Sequence, residues 1–155
     1  MPERILEKNT PEQLEALLKK KAMDLAHKFS PEYAPILGVS KGWALLIEAL
    51  DSRLSILDPK YTIFQVKQKL GGLRFYAAVS TNVGKQTEQA FNETILEYQR
   101  MSFDVCENCG VYAPGNVALR RSGFINWLNS YCDDCSKVCG PLRRGRPADD
   151  KVRRP

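Results

Sequence analysis

Two cysteine pairs constrain this chain more than any other feature. Cys106-Glu107-Asn108-Cys109-Gly110 and Cys132-Asp133-Asp134-Cys135 are CxxC units separated by 22 residues. Each pair bends around one cation, and four thiolates at about 2.3 Å complete the tetrahedron that zinc prefers. Gly110 suits the knuckle, where the backbone turns towards the sulfurs and needs a residue without a Cβ. The separation slightly exceeds the roughly 15 to 20 residues common for this pattern. It fits an intervening hairpin, for which Pro114-Gly115-Asn116 and Ser122-Gly123 supply turn chemistry. The expectation is one structural Zn²⁺ per chain, held by Cys106, Cys109, Cys132 and Cys135. Such a closed shell leaves no position for water, so the metal holds structure. Redox CxxC pairs of thioredoxin type need a βαβ context that the sequence does not offer. A disulfide scaffold is the weaker reading for five cysteines, an odd number, in a chain whose N-terminus lacks the apolar core of a secretory signal. Cys139 lies four residues beyond Cys135, one turn along if a short helix begins there, and reads as a spare thiol.

The other elements are read from periodicity. Thr10-Pro11-Glu12-Gln13 combines an N-cap hydroxyl, a proline at the first helical position and a capping-box Gln. Leu14, Leu17, Leu18, Ala22, Leu25 and Phe29 then follow at helical spacing, and Ser30-Pro31 ends the run. Pro31 to Gly42 reads as a connector. A second helix is predicted from about Gly42 to Leu57, with Leu45, Leu46, Ala49, Leu50 and Leu54 inward. Tyr61 to Lys69 alternates, which predicts a strand with Phe64 and Val66 on one face and Ile63, Gln65, Lys67 and Lys69 on the other. Gly71-Gly72 reads as the hairpin turn, and Leu73, Phe75, Ala77 and Val79 as the inner face of the return strand. A third helix, from about Gly84 to Ser102, carries Phe91, Ile95 and Tyr98. The fold class expected is α+β: helices on a small antiparallel hairpin-based sheet, a four-cysteine zinc finger and a basic disordered tail. The boundaries follow as 1–103 for the body, 104–139 for the finger and 140–155 for the tail.

Charge narrows the partners. The chain of 155 residues carries 23 Lys plus Arg against 18 Asp plus Glu, a formal +5. Residues 140–155 hold six basic side chains against two acidic ones, so they account for +4 of it. Four thiolates with one Zn²⁺ contribute a further −2, which leaves the body and finger close to neutral. The basic character therefore belongs to the tail, through Arg143, Arg144 and Arg146 among others. Lys67, Lys69 and Arg74 read as a solvated sheet face or, with Tyr76 as a stacking ring, as a basic hairpin face that contacts nucleic acid. Arg120 and Arg121, inside the finger, are candidates for phosphates or an acidic protein surface. No apolar run approaches the roughly 18 residues that span a membrane, and the chain reads as cytoplasmic.

Catalytic motifs find no home. Gly38-Val39-Ser40-Lys41-Gly42 matches GxSxG, but that elbow needs a downstream His, and His27, the one histidine, lies upstream. Ser40 reads as a cap or turn residue instead. Gly71-Gly72 lacks the following helix and Lys-Ser/Thr of a phosphate loop. No catalytic residue, enzyme activity or small-molecule substrate is expected.

The segment Val66-Lys67-Gln68-Lys69-Leu70-Gly71-Gly72-Leu73-Arg74-Phe75-Tyr76, followed by a helix, the two CxxC units and Trp127, resembles a group of phage and prophage proteins. They share a VKxKxGGLRFY hairpin and a C-terminal zinc finger, and the resemblance covers roughly Gly42 to Cys135. Members often show His where Cys135 stands; the Cys here preserves the ligand count. The resemblance implies phage origin and carries no activity. The finger separately resembles the treble-clef-like fingers of DksA-type transcription factors, whose long coiled coil has no counterpart in this sequence. The expected function is a non-enzymatic phage-type accessory protein that binds and modulates a host protein or complex in the host cytoplasm. The alternative is a regulator that binds DNA or RNA through the finger and tail.

Overall fold

The computed structural model describes residues 9–122 and 127–139, together with the backbone of Lys151–Val152. It is α+β. Helix α1 (Pro11–Leu25) starts where its cap dictates: the Gln13 amide donates to Thr10 Oγ1 at 3.2 Å, and the Thr10 amide to Gln13 Oε1 at 2.8 Å. A 3₁₀ turn (Ala26–Lys28) closes it, and the connector that follows is not featureless. Its Leu37–Gly38 form strand β1, and a 3₁₀ turn (Lys41–Trp43) leads into α2 (Ala44–Leu57).

Strands β2 (Thr62–Lys69) and β3 (Gly72–Ala78) make the expected hairpin, but β1 adds to β2 in parallel, Leu37 beside Val66. The sheet is therefore mixed, in the order β1-β2-β3, where only antiparallel pairing was expected. The turn also moves by one residue. Leu70 and Gly71 both take positive φ (53° and 75°), the two-residue turn whose twist matches a hairpin, and Gly72 pairs with Lys69 inside the ladder. A bulge between Ile63 and Gln65 breaks strict alternation, so Ile63 and Val66 both face the core. Predicted inner residues Leu73 and Phe75 are buried.

Helix α3 (Lys85–Met101) packs on α2 and β3 through Phe91, Ile95 and Tyr98. Its C-terminal turn reaches the outer edge of β3, where the Leu73 amide donates to Ser102 Oγ at 2.9 Å and the Phe75 amide to Gln99 Oε1 at 3.0 Å. The core joins Leu25 and Phe29, the inward face of α2, Tyr61, Ile63, Val66, Leu73, Phe75 and the α3 stripe. Trp43 and Val105 complete it, the Trp43 indole donating to the Val105 carbonyl at 3.0 Å.

Beside this core runs a half-buried ionic cluster that periodicity could not reveal. The Asp51 carboxylate accepts from Lys28 Nζ (2.9 Å), Lys21 Nζ (3.3 Å), Tyr61 OH (2.8 Å) and Ser55 Oγ (3.1 Å). The Lys28 ammonium also lies 4.2 Å from the Tyr61 ring centroid. Burial pushes the Asp51 carboxyl up, but the hydrogen bonds and charges of these partners hold it below the ordinary range. Asp58, also buried, is held down similarly by the amides of Ser80 (2.6 Å) and Lys60 (2.9 Å), against the opposing effect of burial.

Strands β4 (Ala118–Ser122) and β5 (Trp127–Tyr131) form the second hairpin, and helix α4 (Asp133–Cys139) follows. Of the predicted disordered tail, Lys151–Val152 form strand β6 beside Leu119 and Arg120, giving a sheet in the order β5-β4-β6. Arg143, Arg144 and Arg146 lie outside the described residues. No helix among the described residues is long and apolar enough to cross a membrane.

Candidate metal centre

The first knuckle is built by a turn after Val105. The Gly110 amide donates to the Cys106 carbonyl at 2.9 Å, and Gly110 takes φ +73°, the left-handed conformation expected of it. In the second pair, β5 leads directly into Cys132, and the first turn of α4 carries Cys135. The four sulfurs of Cys106, Cys109, Cys132 and Cys135 all lie within 4.8 Å of one another, and Cys109 and Cys132 are 3.8 Å apart. A tetrahedron with bonds of about 2.3 Å has edges of about 3.8 Å, so the donor set fits one cation. All five cysteines are free of disulfides, and Cys139, at the end of α4, stands outside the group of four.

As a thiol, Cys106 resists ionisation, through its contact with Cys109 and then through burial, and burial pushes Cys135 up to about 11. A cation lets four thiolates share so small a volume. The knuckles also supply donors: Asn108 Nδ2 lies 3.3 Å from Cys135 Sγ, and the Cys135 amide 3.5 Å from Cys132 Sγ.

The residue that docks this centre on the body is Glu107, between the two cysteines of the first pair. It is fully buried. Its carboxylate accepts from the Ser130 amide (2.8 Å) and Asn129 Nδ2 (2.9 Å) within the finger. From the body, Gln68 Nε2 and Ser40 Oγ each approach it at 3.4 Å. Burial pushes this carboxyl up, and the Ser130 amide and the three side-chain donors oppose that. Its backbone is engaged too, the Glu107 amide donating to the Ser130 carbonyl at 2.8 Å and the Gly42 amide to the Glu107 carbonyl at 2.9 Å. Gln68 Nε2 also donates to the Leu128 carbonyl. The Ser of the GxSxG match thus faces a structural carboxylate, and the lone His27 is exposed in the turn after α1.

Gly42 and Gly71 make the docking close, and Gly72 makes a similar close approach within the body. A Cβ at Gly42 would lie 2.2 Å from the Cys106 carbonyl oxygen, and one at Gly71 would lie 2.2 Å from Leu119 Cδ2. Gly71 also offers its carbonyl to Ser130 Oγ at 2.7 Å. A Cβ at Gly72 would meet the Phe103 ring at 2.5 Å. The glycine pair of the hairpin therefore serves proximity as well as turning.

The candidate contact residues divide. Arg120 is buried, its guanidinium bound to Asp133 and to the Tyr131 carbonyl (3.2 Å), so it braces β4 against α4 and does not face a partner. Arg121 is exposed. Lys67, Lys69 and Arg74 come together on one sheet face. Glu107 and Asp133 lie within the CxxC units, Gln68 within the hairpin motif and Arg120 between the two pairs, but no pattern in the sequence signals that these side chains pair with one another or are buried. Comparison of the chain with protein-family models, with curated proteins and with solved structures gives no match.

Proposed function

We propose that this protein is a non-enzymatic, zinc-stabilised accessory factor of phage type that acts in the host cytoplasm by binding and modulating a host protein or complex. The observation that carries this reading is the donor set: four sulfurs gathered around one point and locked to the body through Glu107. Four soft thiolates at tetrahedral spacing select zinc over hard cations. They leave such an ion no open position, so its contribution is conformational and function resides on the surfaces it holds in place. The nucleic-acid alternative, in its finger-and-tail form, keeps only Arg121 of its two finger arginines as an exposed cation.

Metal analysis of purified protein should give one zinc per chain, and Cys109→Ser should lose it together with the finger's protection from proteolysis. Capture from host lysate, with nuclease treatment, tests the partner. A discrete host protein retained after nuclease and lost with Cys109→Ser supports the reading. Capture that nuclease abolishes, or Cys109→Ser folding and binding as wild type, refutes it.

A further inference from the structure

The outer face of the first sheet carries a pattern that the docking of the finger does not use. Residues paired directly across a sheet share a face, and Lys67 stands opposite Arg74 while Gln65 stands opposite Tyr76. Lys69 and Tyr76 extend the same face by the period-two rule. Two cations facing each other across a ladder repel, a pairing that sheets ordinarily avoid. Among the described residues no carboxylate lies within ion-pair distance of Lys67, Lys69 or Arg74. Tyr76 stands among these cations with 44% of its surface exposed, and the Lys67 ammonium lies 5.6 Å from its ring centroid. On the other side of Lys67 its neighbour in the parallel pair is Gly38, exposed and without a side chain, which leaves the row open towards β1.

We infer that this face binds single-stranded nucleic acid, with a base stacked on Tyr76 and phosphates beside Lys67, Lys69 and Arg74. Uncompensated cations alone would suit any polyanion, including an acidic protein segment. The exposed ring among them favours nucleic acid, because every base offers a π-face to such a platform and an acidic peptide does not. An exposed strand face also suits splayed-out bases better than a duplex, whose bases are already stacked. This surface is separate from the metal centre, and it does not depend on the host-protein partner proposed above.

The test is fluorescence anisotropy of the full zinc-loaded chain with labelled oligo-dT and oligo-U at low salt, with a duplex of the same length and poly-glutamate as comparators. Tyr76→Ala should weaken single-strand binding by about tenfold, the scale of one base–aromatic stack. A Lys67→Gln/Arg74→Gln double variant should reduce the slope of log affinity against log salt by about 1.4, at about 0.7 per phosphate contact. Arg121→Gln, on the finger, should leave affinity unchanged. Melting temperature and zinc content, unaltered in each variant, separate these effects from misfolding. Three results would overturn the inference: wild-type affinity in Tyr76→Ala and the double variant, poly-glutamate binding as tightly as the oligonucleotides, or loss confined to Arg121→Gln. The nuclease-resistant capture described above reads the host-protein proposal independently, so either can fail alone.

Discussion

Gly42→Ala isolates the contact between body and finger. Gly42 does not take a positive φ, so alanine meets no backbone penalty and the effect is steric. Its Cβ would lie 2.2 Å from the Cys106 oxygen and 2.5 Å from the carbonyl carbon and oxygen of Glu107. Those are main-chain atoms of the metal knuckle and cannot rotate aside, so the two surfaces must part by roughly an ångström, on ordinary packing distances. Overpacking of this kind costs about 1–3 kcal/mol. Parting also strains the bond from the Gly42 amide to the Glu107 carbonyl, 2.9 Å in the native structure, and a buried amide left without its acceptor costs about 1–3 kcal/mol more. A combined loss of about 4 kcal/mol lowers Tm by about 8–16 °C in a chain of this size. Thermal melts followed by the buried Trp43 are the assay. Zinc stoichiometry should stay at one, because no ligand is altered. Gly84→Ala is the control: nothing lies within 4 Å of its Cβ, and weakening the cap of α3 should cost only about 1 kcal/mol. A Gly42→Ala protein melting within about 2 °C of wild type would refute the reasoning.

Two further substitutions probe the body. Asp51→Asn leaves Lys21 and Lys28 mostly buried without their counter-ion and should destabilise by about 3 kcal/mol at neutral pH. Because the folded Asp51 pKa lies below the unfolded value of about 3.9, its contribution is complete above that value and is lost as pH falls through the folded one. The stability gap between wild type and Asp51→Asn should therefore narrow below about pH 4; a gap constant down to pH 3 would contradict this account. Leu70→Asn should stabilise by about 1 kcal/mol, because Leu70 is half-exposed and takes the left-handed conformation that costs leucine about that much. A Tm that fails to rise would count against the turn assignment.

Much of the architecture was legible because it rests on local rules. The Thr10–Gln13 box starts α1 within a few bonds of its own residues, and the CxxC spacing is a property of the metal's ligand geometry. What sequence could not supply depends on contacts between distant segments. The β1 strand forms because Leu37 and Gly38 come to lie beside Val66 and Lys67, and two residues carry no periodicity. The bulge at Ile63/Gln65 is selected by the core, which takes both Ile63 and Val66. Nothing in the CxxC pattern marks Glu107 for burial, and only the assembled Ser130, Asn129, Gln68 and Ser40 donors make that burial tolerable. Arg120 looked available because Asp133 is thirteen residues away in the chain.

The hydrogen bonds along β3 and β5 have a consequence for how other chains can approach. A strand at the margin of a sheet ordinarily offers its main chain as a template for β-augmentation, by a peptide or by a second copy. On β3 the outward amides of Leu73 and Phe75 are already taken by Ser102 and Gln99. On β5 the Ser130 amide and carbonyl are taken by Glu107, and the Leu128 carbonyl by Gln68. An extended segment arriving at either margin would have to displace side chains anchored in the core, one of them within the metal loop. Recognition by this molecule is thereby steered away from these two strand margins and onto side-chain surfaces, where charge and ring stacking, rather than main-chain pairing, choose the partner.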